Sequence, residues 1–294
     1  ANVTHLSQLT ESTQSSKTKQ DEANIFYKNV ETFLKNNTPD IIFGYGGNAF
    51  CKQIWRLARQ YCKKMFFYLA NPYVDDADIY TEFDRVAVPS DFFRRRYAER
   101  VGITCDPIPD LLRPSHLLEP DAGLAYGDPE ARGYGFITLI NPSLQKGGLL
   151  FARLAEVAHR ERPDLTFLGV EGRATADEWA ETGLDLGRMQ NVWWIPNQRD
   201  VRRVYARTSI LLFPSVWPEA SGRSVAEAQL AGIPVIGSNQ GGVPEQMNGG
   251  GFVLDLPAGM LDNQAHVPTA EEVRPWFDKI VELIDDGAAY RDAS

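Results

Sequence analysis

The sequence predicts an α/β fold built on parallel sheets, and three observations carry that prediction. Short apolar runs without polar alternation, such as Ile210-Leu211-Leu212-Phe213, read as strands buried on both faces. Segments with apolar residues at helical spacing separate these runs along most of the chain. The stretch from Ser209 to Glu245 packs a strand, a loop, a helix and a second strand into one βαβ unit. In such sheets ligands bind beyond the carboxyl ends of the strands, where both loops of this stretch would lie.

Taken in order, residues 1–22 are polar and aperiodic, a tail or loop. Ile25, Phe26, Val30, Phe33 and Leu34 then recur at helical spacing up to Pro39-Asp40. Ile41-Ile42-Phe43 is a short strand followed by Gly44-Tyr45-Gly46-Gly47. Residues 50–64 predict a basic amphipathic helix, with Ile54, Leu57, Ala58 and Tyr61 inward and Lys52, Arg56, Arg59 and Lys63 outward. Strands follow at Met65–Leu69 and Val86–Val88, and Ser90-Asp91 caps a helix carrying Phe93, Tyr97 and Val101 on one face. From Cys105 to Arg132 the pattern lapses into Pro, Gly and Asp, as a linker would. It resumes with a strand at Phe136–Ile140, a helix through Leu150, Leu154, Val157 and Ala158, strands at Leu165–Val170 and Val192–Ile195, and a helix over Val201–Arg207. After the Ser209–Glu245 unit, a final helix spans Glu271–Asp285 with an apolar stripe of core character.

A chain of 294 residues suits one large or two modest domains. Its net charge of −9 speaks against a nucleic-acid partner. No apolar run reaches bilayer-spanning length and no signal peptide precedes the first strand. Three widely spaced cysteines without a CxxC fit thiols in a reducing compartment, so a cytoplasmic location is expected. The first 110 residues are charge-balanced, yet the basic helix and the Phe92-Phe93-Arg94-Arg95-Arg96 run concentrate positive side chains. Solvated Arg and Lys on the helices of an ordinary sheet are the first reading of that surface; a lipid-linked or anionic acceptor, with peripheral contact at the inner membrane face, is the second.

Chemistry concentrates around two acids. Glu219 lies in the loop before the helix near Ser224 and Glu227 at its beginning, so both border a helix N-terminus. Such an end exposes unpaired N–H groups, here from Gly222, Arg223, Ser224 and Val225, and favours an anion such as phosphate. Ionised carboxylates beside it suit a ligand that also presents hydroxyls. Phosphate with hydroxyls means a nucleotide or sugar phosphate. Ser224-x-x-Glu227 also satisfies the capping-box pattern, which leaves Glu227 a purely local reading. Lys146, followed by Gly147-Gly148 after a strand, and Arg173, in Glu171-Gly172-Arg173 after another, are placed as phosphate contacts.

Phe213-Pro214-Ser215, the Glu219-x7-Glu227 pair, Ala231-Gly232-Ile233-Pro234-Val235 and Gly241-Gly242-Val243-Pro244-Glu245, in that order, resemble the donor domain of retaining GT-B glycosyltransferases. The nearest group is family 4, the group 1 glycosyl transferases that use nucleotide sugars. The resemblance implies two Rossmann-like domains facing a cleft: a partial acceptor-side domain over 23–115, a linker over 116–132, and a donor domain over 133–268. A helix over 269–294 would cross back to the first domain. It implies a glycosyltransferase that keeps the anomeric configuration, needs no cofactor or metal, takes a UDP- or GDP-sugar, and serves a glycan, lipid-linked or small-molecule acceptor. Glu219 would bind the sugar hydroxyls beside the amides of Ser221, Gly222 and Arg223. Glu227 would bind the ribose. Lys146 would hold the diphosphate with the amides of Ser224 and Val225, and the Trp194-Ile195-Pro196 backbone would border the base.

Three positions depart from the family pattern. Asn141 stands where an Arg is usual, five residues before Lys146, and Arg173 or Arg223 is then the candidate replacement. Asn71 follows the strand where a His is usual. The opening glycine loop is absent, with Gly46 the nearest acceptor-side candidate. The first domain therefore reads as incomplete, and a nucleotide-sugar or glycan binding module without turnover is the alternative function. Asp76-Ala77-Asp78 spells a DxD, the metal ligand set of a different transferase class, but sits in a polar run and reads as an acidic loop. No strand is followed by GxGxxG, which sets aside a Rossmann oxidoreductase.

Overall fold

Strands that are apolar on both sides need cover on both faces, and the chain supplies helices between them. The computed structural model describes residues 20–114, 117, 135–172 and 189–294. They belong to two compact units that divide between Ile108 and Pro109. The expected linker over 116–132 lies, except for Leu117, outside the described residues.

The first unit runs α1 (Gln20–Asn37), β1 (Ile41–Gly44), α2 (Ala49–Arg59), β2 (Lys64–Tyr68), β3 (Arg85–Val88), α3 (Asp91–Arg100) and β4 (Asp106–Pro107). Its strands pair in parallel in the order β1-β2-β3-β4. The basic helix expected over 50–64 stops at Arg59, because Lys64 already pairs with Ile41 as the first residue of β2. Its inward residues Ile54, Leu57 and Ala58 meet Val30 and Leu34 of α1 and Met65 of β2. Ser90 caps α3 by accepting the Phe93 N–H at 3.2 Å, and Phe93 and Tyr97 are buried below it.

The second unit contains β5 (Phe136–Ile140), α4 (Gly148–Glu161), β6 (Phe167–Val170), β7 (Val192–Ile195), α5 (Arg202–Tyr205), β8 (Thr208–Phe213) and α6 (Arg223–Leu230). It continues with β9 (Val235–Ser238), α7 (Val243–Met247), β10 (Phe252–Leu254), α8 (Ala258–Asp262), α9 (Arg274–Asp285) and α10 (Gly287–Asp292). All six strands are parallel, in the order β10-β9-β8-β5-β6-β7. The chain enters at β5, builds outward to β7, then returns to β8 and builds the other way. Strand order therefore reverses between β5 and β8, and such a reversal opens a crevice at the carboxyl ends of those two strands.

The terminal helices pack on the second unit. Trp276, Phe277, Ile280 and Leu283 of α9 are buried with Leu150, Leu154 and Ala158 of α4 in the core of the second unit. The Tyr290 hydroxyl of α10 donates to the Ser209 carbonyl at 2.8 Å, and the Trp276 indole N–H to the Asp255 carbonyl at 3.0 Å. The apolar stripe is thus used within the second unit's own core.

One carboxylate ties the first unit's sheet together. Asp84 accepts from the Met65 N–H at 2.8 Å, Arg59 at 2.7 Å and Lys64 at 2.9 Å. Lys64, the Met65 amide and Arg59 hold its carboxyl well below the usual carboxylate range. A group whose pKa is depressed by folding stabilises the fold above its unfolded pKa and loses that effect as pH falls toward the folded value. Asp84→Asn is therefore expected to lower the melting temperature at neutral pH, with the gap to wild type closing below about pH 4. Melts across that range check this, and a gap that stays constant into acid refutes it.

Candidate active site

The loops that follow β5 and β8 face each other at the strand-order reversal. After β5 the chain makes a 3-10 turn over Leu144–Lys146, and Gly147 then adopts φ +74 to open α4. A Cβ on Gly147 would lie 1.9 Å from the Pro214 carbonyl oxygen, so only glycine lets the two loops approach this closely. The Gln145 carbonyl accepts from the N–H groups of Val216 at 2.9 Å and Trp217 at 3.1 Å. The loop after β9 closes the cluster. The Gly242 N–H donates to the Glu219 carbonyl at 2.8 Å, and the Ser238 hydroxyl to the Ser215 carbonyl at 2.6 Å. Gly241, at φ +62, passes so near the Glu219 backbone that an added Cβ would sit 2.3 Å from its nitrogen.

These contacts bring Lys146 and Glu219 together: the ammonium bonds Glu219 Oε1 directly. Ser215, itself buried, donates to the same oxygen at 2.5 Å. Glu219 is 8% exposed, a buried carboxylate that is matched by one cation and one hydroxyl. The ammonium also lies 5.7 Å from the centre of the Phe213 ring.

The second acid has a different setting. Gly222, at φ +96, takes the N-cap position of α6 and makes no side-chain cap. Ser224 is then the second helical residue, and the capping-box reading of Ser224 and Glu227 does not hold. Glu227 falls just past the first turn. One of its oxygens, Oε2, accepts the Tyr205 hydroxyl at 2.7 Å, and Oε1 lies 3.4 Å from Arg223 Nε. The Val225 N–H donates to the Gly222 carbonyl at 2.8 Å, which commits an amide expected to face phosphate. Ser221 is buried and donates to Asp110 at 2.7 Å. Tyr205 and Asp110 are site residues that the sequence patterns miss, one an aromatic in a short helix, the other an acid in the Pro-rich lapse.

Beside α5 lies a cavity of about 320 Å³ bordered by Asn141, Val170, Glu171, Gly172, Gln198 and Val204 among others. Asn141 adopts φ +57, and its side chain lies against Gly172, where a Cβ would come within 2.5 Å of Oδ1. Of the Trp194-Ile195-Pro196 segment, the Trp194 indole turns to the opposite face of the sheet, over Gly169 and beside Phe151. The Ile195 carbonyl accepts the Glu171 N–H at 2.9 Å, and the Pro196 carbonyl accepts from Gln198 at 2.7 Å. The cavity is thus bounded by the residues just after this segment. Arg173 lies outside the described residues.

In the first unit, Asn71 is occupied locally: its Oδ1 accepts the Tyr73 N–H at 3.0 Å and its carbonyl the Tyr97 hydroxyl at 2.6 Å. Gly46 turns at φ +99 above Cys51. Asp76 caps the 3-10 turn Ala77–Glu82 and pairs with Lys52 at 2.6 Å, which accounts for the DxD letters. Among the described residues there is no cluster of His, Cys, Asp or Glu able to hold a metal. Most of the basic surface is matched by nearby acids, with Lys63 on Asp40 at 2.7 Å, Arg94 on Asp91 at 2.5 Å and Arg100 on Asp75 at 2.5 Å. Among the described residues no helix is long and apolar enough to cross a membrane.

A parallel sheet with loops meeting at its reversal is shared by many nucleotide-binding folds, and the sequence decides among them. Residues 134–286, more than half the chain, match the family model for group 1 glycosyl transferases. The chain is a group 1 glycosyltransferase. No curated protein matches it by sequence. Several solved structures share the transferase's fold. A glycosyltransferase from Rickettsia africae is 18% identical with a TM-score of 0.64, covering 96% of this chain and 78% of its own. Anabaena HepE, solved in complex with UDP-glucose, is 17% identical at 0.63, covering 90% and 75%. Sucrose-phosphate synthase from Thermosynechococcus elongatus is 15% identical at 0.69, covering 93% and 71%. These are GT-B glycosyltransferases, and this transferase has their architecture of two parallel-sheet α/β units.

The close approach at Gly147 gives a direct test of the site's framework. Gly147→Ala adds backbone strain of about 1–3 kcal/mol and a clash that cannot relax without parting the two loops. Gly249→Ala, at φ +84 with open space around it, adds strain alone. Denaturant titration is expected to show a clearly larger loss for the first; equal losses would mean the loops part freely.

Proposed function

We propose that this transferase moves a sugar from a nucleoside diphosphate to an acceptor, with retention at the anomeric carbon and without a metal ion. The observation that carries this is the contact of Lys146 with Glu219 at the strand-order reversal, beside the N-terminus of α6. A diphosphate would compete for the Lys146 ammonium, while the sugar hydroxyls would find an acceptor in Glu219. Charge developing on the departing diphosphate would meet that ammonium and the helix N-terminus, the fixed electrostatic complement that such a step needs. Glu227 would take the ribose hydroxyls, and the base would enter the cavity at Val170, Gln198 and Val204. The Anabaena neighbour's complex with UDP-glucose supports a nucleotide sugar as donor.

The acceptor, a glycan, a lipid-linked sugar or a small molecule, is assigned to the first unit, in a cytoplasmic setting. One observation favours a second reading, a module that binds nucleotide sugars without turnover: Asn141 brings no charge to a loop where a cation would serve the diphosphate. Arg223, exposed beside Glu227, is the described cation best placed to compensate.

Incubation with UDP- and GDP-sugars, followed by release of the nucleoside diphosphate, separates the readings. Lys146→Ala and Glu219→Gln are expected to lower turnover by roughly 10²–10³-fold while the protein stays folded. Near wild-type turnover in both variants refutes the site, and tight binding without any hydrolysis or transfer favours the module. Activity is expected to survive EDTA, and NMR of the product is expected to show the donor's anomeric configuration.

A further inference from the structure

Tyr205 ends the four-residue helix α5 and is fully buried among Leu211, Val225, Ala228 and Val235. A phenol so placed needs a partner for its hydroxyl, and the partner is Glu227 Oε2 at 2.7 Å. Burial and the Glu227 charge push the phenol's ionisation far up, so it remains a donor at any working pH. The other carboxylate oxygen has a weaker neighbour, the largely exposed Arg223 at 3.4 Å. One oxygen is thus fixed from the core and the other is directed outward. A carboxylate held at one oxygen offers the other to a ligand hydroxyl in a fixed direction.

We propose that Tyr205 is a positioning residue that orients Glu227 for the ribose diol, and that this bond lets the site tell ribonucleotides from their deoxy forms. The inference rests on Glu227 being the ribose acid. The same short helix also places Val204 in the wall of the adjacent cavity, so α5 sets the base wall and the ribose acid in a single step. Removing the hydroxyl leaves the ring in its core and frees Glu227 to rotate.

The test is calorimetric titration of UDP and GDP, and of their 2′-deoxy and 3′-deoxy forms, into wild type, Tyr205→Phe, Glu227→Ala and Glu227→Asp. Wild type is expected to prefer the ribonucleotide by about tenfold or more, the size of a hydrogen bond to a charged group. In Tyr205→Phe that preference is expected to fall several-fold while affinity for the deoxy forms stays unchanged. Equal weakening of ribo and deoxy ligands would mean a structural role for Tyr205 and overturns the proposal. Glu227→Asp draws the acid out of the phenol's reach without touching the core and is expected to lose the preference too; full preference there also overturns it. If Glu227→Ala keeps the preference, the ribose assignment itself falls. If Glu227→Ala loses it and Tyr205→Phe does not, only the inference about Tyr205 falls.

Discussion

The Gln145 carbonyl receives the N–H groups of Val216 and Trp217, and much of the site follows from that convergence. Where strand order reverses, two loops leave the sheet side by side with backbone groups that no strand can satisfy. Buried backbone groups must be paired, and here the loops after β5 and β8 pair with each other. Gly147 permits the approach, and the loop after β9 adds its bond from Gly242 to the Glu219 carbonyl. Lys146 and Glu219 are therefore carried into contact by main-chain bonds on both sides. Main-chain bonds on both sides thus fix where the two charges are presented.

The two acids of the second unit, Glu219 and Glu227, sit in different environments. Glu219 is buried and matched at one oxygen by an ammonium and a serine hydroxyl. Glu227 is held at one oxygen by a neutral phenol and borders an exposed guanidinium at the other. The first is bonded to a charged partner and the second to a neutral one.

Much of the sheet could be read from the chain because its strands are continuous apolar runs, as at Ile210–Phe213, and parallel sheets require such runs. The elements that escaped are short. β4 has two residues and β10 three, and α7 begins at Val243-Pro244, where paired glycines signal a turn. The apolar stripe of α9 identified a buried helix, but a stripe does not say which core receives it. Within the site, Lys146 and Glu219 were legible through their places after strands. Ser224 and Glu227 satisfied a capping pattern that Gly222 pre-empts by taking the N-cap with a left-handed backbone. Tyr205 and Asp110 carry no local signature, since their roles come from partners 22 and 111 residues away.

The backbone at Asn141 has a consequence for how this enzyme could change. A left-handed conformation, φ +57, favours asparagine and glycine and costs other side chains about 1–2 kcal/mol. Placing an arginine there would add that strain, and its stem would have to share the space where Asn141 now lies against Gly172. A charged side chain at position 141 of this chain would therefore carry a stability cost. A positive side chain at an exposed helical position, such as that of Arg223, carries no such backbone cost.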